Sequence, residues 1–251
     1  MFYYYGRKKK LVKVYPSLIY DTIIEPFAGS AAYSLHWAKN RKVVLIEKDK
    51  QVYELWKYLQ SANPNDILEM PDLKRGDKTS NFLHILHSAS KRAFDYKTIT
   101  VTKVLETNWN CNKRKIAEQI PSILDWKIIN GDYSISPDIE ATWFIDPPYF
   151  GDMGTGYRFG SDQIDYSELK DWIMSRKGQV IVCGSASDDW LKFSRLATQS
   201  TINGKRNYEG VFIRHLTPLA LDGGDSATFQ ALSTPEVLST LQGESTPAHR
   251  K

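Results

Sequence analysis

Short, mainly apolar runs that stop at an acid or a turn recur along residues 20–60 and again along 126–150. Ala141–Ile145 is one of strand length, and Asp146-Pro147-Pro148 ends it, because proline offers no amide to a ladder and fixes φ. Thr22–Ile24 runs into Glu25-Pro26, Arg41–Ile46 into Glu47, and Trp126–Asn130 into Gly131-Asp132. Each predicts a buried strand with a polar group at its carboxyl end. Between them, the helical spacing of Val52, Leu55, Trp56 and Leu59 predicts a helix over Lys50–Gln60. A small-residue loop leads into a second helix near Ser30–Lys39, and Gly6 is placed to turn the chain into another from Arg7 to Pro16. Asp165–Arg176 reads as amphipathic (Leu169, Trp172, Ile173) and Asp188–Phe193 as a short helix. Gly178–Gly184 reads as a buried strand, and Leu196–Ile202 with Tyr208–His215 as a hairpin about Asn203-Gly204-Lys205. Alternating strands and helices predict an α/β sheet, mostly parallel, to which the terminal hairpin adds an antiparallel edge strand.

Residues 61–125 interrupt that alternation and read as a mostly helical insertion. Arg92, Lys113, Arg114 and Lys115, with Trp109, Asn108, Asn110 and Asn112, supply the side-chain types that contact phosphates and base edges, although nearby acids nearly balance them. After about Pro218 the chain turns to Ser, Thr, Gly, Gln and Pro, the composition of a disordered tail.

Length and composition narrow the class. The 251 residues suffice for one α/β core plus an insertion. A hydrophobic share of 41% and the lack of any apolar run near ~20 residues predict a soluble protein with no membrane partner. Cys111 and Cys183 fit no metal-ligand spacing, so reduced thiols, a cytoplasmic setting and no bound metal are expected. The net charge of +4 permits nucleic acid as a partner without requiring it.

Candidate chemistry lies at the strand ends. In an open α/β sheet, ligands bind outside the carboxyl ends of the strands. There Glu25, Glu47, Asp132 and Asp146 would share one rim. Gly29 lets backbone approach a ligand, and Glu47 follows this loop at the distance where dinucleotide folds place a ribose acid. The glycines do not form GxGxxG, which argues against a nicotinamide dehydrogenase. Asp146 and the Pro147 carbonyl are suited to accept both hydrogens of an exocyclic amine, with Tyr149 stacking on its ring; a proline-stopped strand alone is the plain alternative. Gly151, Gly154, Gly156 and Gly160 surround Tyr157, Arg158 and Phe159, the make-up of a lid or of an ordinary surface loop.

These motifs together resemble the class I S-adenosylmethionine-dependent methyltransferases, and among them the DNA adenine-N6 enzymes of the Dam-like, phage or prophage type. The resemblance runs over residues 3–216. It implies a Rossmann-like, mostly parallel seven-stranded sheet with helices on both faces. A catalytic domain of residues 1–60 and 126–217 would be interrupted by a target-recognition insertion at 61–125, with the tail at 218–251. Asp146-Pro147-Pro148-Tyr149 matches the family's catalytic signature. For S-adenosylmethionine, the resemblance implies contacts from Tyr4, Lys8, Glu25, Phe27, Gly29, Glu47, Asp132, Tyr133 and Asp146, with Lys8 at the cofactor carboxylate. Ala31 stands where the family's loop has its second glycine, a small cost if φ stays negative. Double-stranded DNA is the implied partner, held by Arg92, Lys113, Arg114, Lys115 and Arg158, with the protein a monomer or weak dimer. An RNA adenine methyltransferase, or a catalytically weak nucleic-acid-binding protein of the same fold, remains as an alternative.

Overall fold

The acid-terminated runs are neighbours in one sheet. The computed structural model describes residues 1–4, 6–81, 83–84, 98–200 and 206–215. The strands are β1 (Thr22–Glu25), β2 (Lys42–Glu47), β5 (Lys127–Asn130), β6 (Ala141–Ile145), β7 (Gly178–Ser185), β8 (Ser194–Ser200) and β9 (Arg206–His215). Their order across the sheet is β5-β2-β1-β6-β7-β9-β8. The first five are mutually parallel, while β9 runs antiparallel to both β7 and β8. The fold is thus the expected α/β, mostly parallel seven-stranded sheet. Chain direction across the sheet reverses between β1 and β6, the switch point where such sheets open a crevice.

Side chains alternate to the two faces, as a strand period of two requires. Ile23, Val43, Leu45, Phe144, Ile181 and Cys183 join one buried cluster; Ile24, Val44, Ile46, Trp143, Ile145, Val180 and Val182 join the other. Both faces are therefore dry, which explains why these strands read as continuous apolar runs. Helices α1 (Ala32–Trp37) and α2 (Lys50–Ser61) cover the first face. Asp49 caps α2 by accepting the Gln51 amide at 2.9 Å, and Val52, Leu55, Trp56 and Leu59 are fully buried beneath it. Each contributes roughly 1.5–3 kcal/mol of apolar burial. The second face is covered by α5 (Tyr166–Met174), capped by Asp165, with Leu169 and Ile173 at zero exposure.

Residues 61–125 carry, where described, α3 (Pro64–Glu69), a two-stranded antiparallel ribbon of β3 (Lys78–Thr79) and β4 (Ile99–Thr100), and α4 (Lys103–Gln119). The ribbon has no counterpart in the helical expectation. Buried Ile67, Leu73, Ile99, Leu105, Trp109 and Ile116 join the same cluster as α2, so the segment packs into the first face.

Two expected helices are absent. Residues 8–14 form successive turns, with the Leu11 and Val12 amides both donating to the Lys8 carbonyl and Val14 to Leu11. Gly6 at φ 74° redirects the chain, and the turns send Lys8 inward while Val12 and Tyr15 enter the core. At Asp188–Phe193 the chain also turns without a helix, because the Asp188 carboxylate accepts the Ser185 amide and competes with helical pairing. No helix among the described residues is long and apolar enough to cross a membrane. The tail at 218–251 lies outside the described residues.

Candidate active site

Proline at 147 stops β6, and this carries Asp146 past the sheet to the edge of the switch-point crevice. The crevice is a cavity of about 1380 Å³. Into it come the expected Tyr4, Lys8, Glu25, Phe27, Gly29, Glu47, Asp132, Tyr133, Asp146, Pro147, Pro148 and Tyr149. Residues far apart in sequence thus line one space.

Its floor is a charged cluster. The Lys8 ammonium lies 2.9 Å from Asp146 Oδ1 and 3.7 Å from Glu209 Oε1, donates to the Gly6 carbonyl, and sits 4.6 Å from the centre of the Tyr149 ring. Glu209 Oε1 accepts the hydroxyls of Tyr149 and Tyr15, each at 2.5 Å. Burial works against the Lys8 cation, but Asp146, Tyr149 and Glu209 together hold its pKa well above the ordinary lysine range. Asp146 is pushed up to about 6, because burial and the nearby Glu209 outweigh the pull of Lys8. The resemblance implies Lys8 at the cofactor carboxylate; here its ammonium is on Asp146.

The side of the cavity formed by residues 25–31 and Glu47 is held from within the protein. Glu47 accepts the Gly29 amide through one oxygen and the Asp49 amide through the other, both at 2.9 Å, and burial lifts its carboxyl to about 7. Glu25 accepts the Ser34 amide at 2.7 Å and is raised to about 8 by burial. Gly29 adopts φ 45°, a backbone that favours glycine, and a Cβ there would sit tightly, 3.1 Å from the Tyr4 ring. Ala31 also takes a left-handed backbone, φ 45°, contrary to the negative φ that its alanine predicts; this costs roughly 1–2 kcal/mol. Phe27 stacks on Tyr133, with centroids 5.5 Å apart and planes at 27°, and Asp132 pairs with Lys48 at 2.8 Å.

Of residues 151–163, Tyr157, Arg158, Phe159 and Gln163 line the cavity. Tyr157 meets the N-terminal turn so closely that a Cβ on Gly6 would lie 2.3 Å from its hydroxyl. Arg158 reaches Asp49 at 3.5 Å, and the Phe159 ring lies 5.4 Å from the Lys48 ammonium. The segment ties the β6 end to the β2–α2 junction, as a strap would.

The basic residues expected to hold nucleic acid separate into groups. Arg158 lines the cavity. Lys113 instead pairs with Asp72 at 2.5 Å and donates to the Met70 carbonyl, so it ties α4 to the chain after α3. Arg114 and Lys115 are exposed on α4 and do not line the cavity. Arg92 lies outside the described residues. Trp109 donates to the Pro71 carbonyl, and Asn110 exchanges two hydrogen bonds with the Leu73 backbone, so both are structural.

Sequence reading missed Glu209, Tyr15 and Asp49. Glu209 was hidden because it sits near the beginning of an antiparallel strand, which brings its early residues to the rim that the parallel strands reach with their ends. Asp49 had a visible signal, as the N-cap acid just beyond Glu47.

No protein-family model matches this chain, and no curated protein matches it by sequence. Among solved structures it is similar to a Haemophilus influenzae protein described as a "putative methylase". The identity is 13%, the match covers 86% of this chain and 92% of that one, and the TM-score is 0.37.

Proposed function

We propose that this protein is an S-adenosylmethionine-dependent methyltransferase that modifies the N6 amine of adenine in DNA, with the base flipped into the cavity. The observation that carries the reading is a carboxylate, Asp146, set by a diproline turn beside the Tyr149 ring in a cavity at the switch point of a parallel sheet. At about 1380 Å³ the cavity exceeds the roughly 300–1,000 Å³ of a typical single-ligand pocket, so cofactor and base fit together.

The donor set suits that cofactor. Glu47 and Asp49 face the cavity with carboxylates for ribose hydroxyls, Asp132 offers an acceptor for an adenine amine, and Phe27 with Tyr133 supplies flat apolar surface. When bound, the cofactor supplies a sulfonium methyl, and the carbon–sulfur electron pair stays with sulfur as the methyl leaves. Lys8 engages Asp146 Oδ1, so Oδ2 and the Pro147 carbonyl are left to accept the two N–H groups of the target amine. An aromatic amine is a poor nucleophile because its lone pair is delocalised into the ring. Acceptance of both hydrogens concentrates that pair toward the methyl carbon. As the nitrogen–carbon bond forms the amine becomes cationic, and Asp146, with a pKa near 6, takes the released proton and passes it to water. Pre-set acceptors and in-line placement supply most of the acceleration. Tyr149 stacks on a base that cannot be reached within a duplex.

Arg7, Lys9 and Lys10 line the cavity beside Arg158 and are suited to phosphates, with the salt dependence that such contacts imply. Expression in a host without adenine methylation tests the reading. N6-methyladenine at a defined genomic sequence is the expected result, and its absence from DNA with the protein present and folded overturns the assignment.

A further inference from the structure

Glu209 is a buried carboxylate, 4% exposed, on the last strand of the sheet in chain order, yet it reaches Tyr149 of the proposed catalytic turn, 60 residues earlier. Strand β9 pairs antiparallel with β7, which places Glu209 opposite Ser185, itself on the cavity wall. One oxygen of Glu209 receives both the Tyr149 and the Tyr15 hydroxyls and faces the Lys8 ammonium. Resting on the methyl-transfer reading, we infer that Glu209 is a positioning residue: it fixes the Tyr149 ring and shares the Lys8 ammonium with Asp146.

With Asp146 ionised, a lone Lys8–Asp146 pair would be neutral, and Lys8 would be drawn wholly onto the acid that must receive the amine. Two carboxylates about one ammonium leave one net negative charge in a buried site. That charge suits an amine turning cationic as it accepts a methyl group, in surroundings where fixed charge acts strongly. Lys8 and Tyr15 face Glu209 from the N-terminal segment, Asp146 and Tyr149 from the turn after β6, and Cys183 from β7. A residue that merely satisfied two tyrosine hydroxyls would hold them equally well as glutamine.

Glu209→Gln keeps the size and an accepting oxygen while it removes the charge. The folded variant is expected to lose about tenfold or more in kcat with little change in KM for DNA. The acid limb of its pH profile should move down by about half a unit or more, because the repulsion that lifts Asp146 is gone. Glu209→Asp, which keeps the charge, should restore part of that limb. A second readout needs no activity: in 13C-aspartate-labelled protein, with the resonance assigned through Asp146→Asn, the Asp146 carboxyl should titrate at lower pH in Glu209→Gln. An unmoved titration and an unmoved acid limb would overturn the inference. Should the wild type fail to methylate adenine, the reading of the reaction falls, while the carboxyl titration still decides the role of Glu209.

Discussion

Asp146→Asn separates chemistry from stability at the centre of the site. The substitution keeps the side chain's shape and one accepting oxygen, and removes a charge that is only 22% exposed. Burial and Glu209 raise this carboxyl from 3.8 to about 6. At ~1.4 kcal/mol per unit, ionised Asp146 therefore costs the fold on the order of 3 kcal/mol at neutral pH relative to the unfolded chain. Breaking a buried ion pair destabilises when the surviving partner is left uncompensated. Here the survivor is Lys8, and Glu209 still faces it at 3.7 Å. The raised value already contains the pull of Lys8, so Asp146→Asn should leave unfolding stability unchanged or raise it, by up to about 3 kcal/mol at neutral pH. Activity should not be spared. Loss of a preorganised electrostatic contact to the reacting group costs about 10²–10³ in kcat, and the proton acceptor is lost with it. Urea unfolding at pH 7.5 and single-turnover transfer of labelled methyl measure the two effects side by side. Wild-type-like turnover would refute the mechanism, and a net destabilisation would refute the shared-ammonium electrostatics.

Further expectations concern the rest of the cavity. Glu47→Ala should weaken S-adenosylmethionine binding by ~1–3 kcal/mol by calorimetric titration, and an unchanged dissociation constant would reject Glu47 as a cofactor residue. Glu25 lies at about 8 when folded, against 4.5 for the ordinary group. Its contribution to stability is fully present below pH 4.5 and is lost as pH rises through 8. Glu25→Gln should therefore be increasingly stabilising relative to wild type, from near zero at pH 4.5 to on the order of 3 kcal/mol at pH 7, and a pH-independent difference in urea unfolding would contradict this. Lys113→Ala should leave DNA affinity unchanged, because Lys113 is engaged by Asp72 and Met70, whereas Lys9→Ala should weaken binding and lower the salt slope by about one. Fluorescence anisotropy across a salt series distinguishes the two, and equal effects would reject that division.

Much of this site was legible because its signals are local. An apolar run closed by acid and proline can end only one way, so β6 and the placement of Asp146 followed from the chain itself. Asp49 and Asp165 capped helices where apolar periodicity began, and α2 and α5 formed close to the expected bounds. The missed features depend on contacts between distant segments. Glu209 takes its meaning from Tyr15 and Tyr149, 194 and 60 residues away, and nothing in Tyr208-Glu209-Gly210 announces them. The basic character of residues 103–119 suggested nucleic acid, but Lys113 is consumed by local tertiary pairing that composition does not show. At Ala31 tertiary packing imposes a left-handed backbone against residue preference, and at 8–14 the burial of Lys8, Val12 and Tyr15 decided against a helix.

Incubation of the purified protein with 13C-methyl S-adenosylmethionine and duplex DNA, followed by mass spectrometry of the released nucleosides, tests the central claim most directly. The account predicts one labelled methyl on N6 of deoxyadenosine, absent when Asp146→Asn replaces the wild type. Label confined to cytosine, or no label on any base under conditions where the cofactor binds, would contradict it.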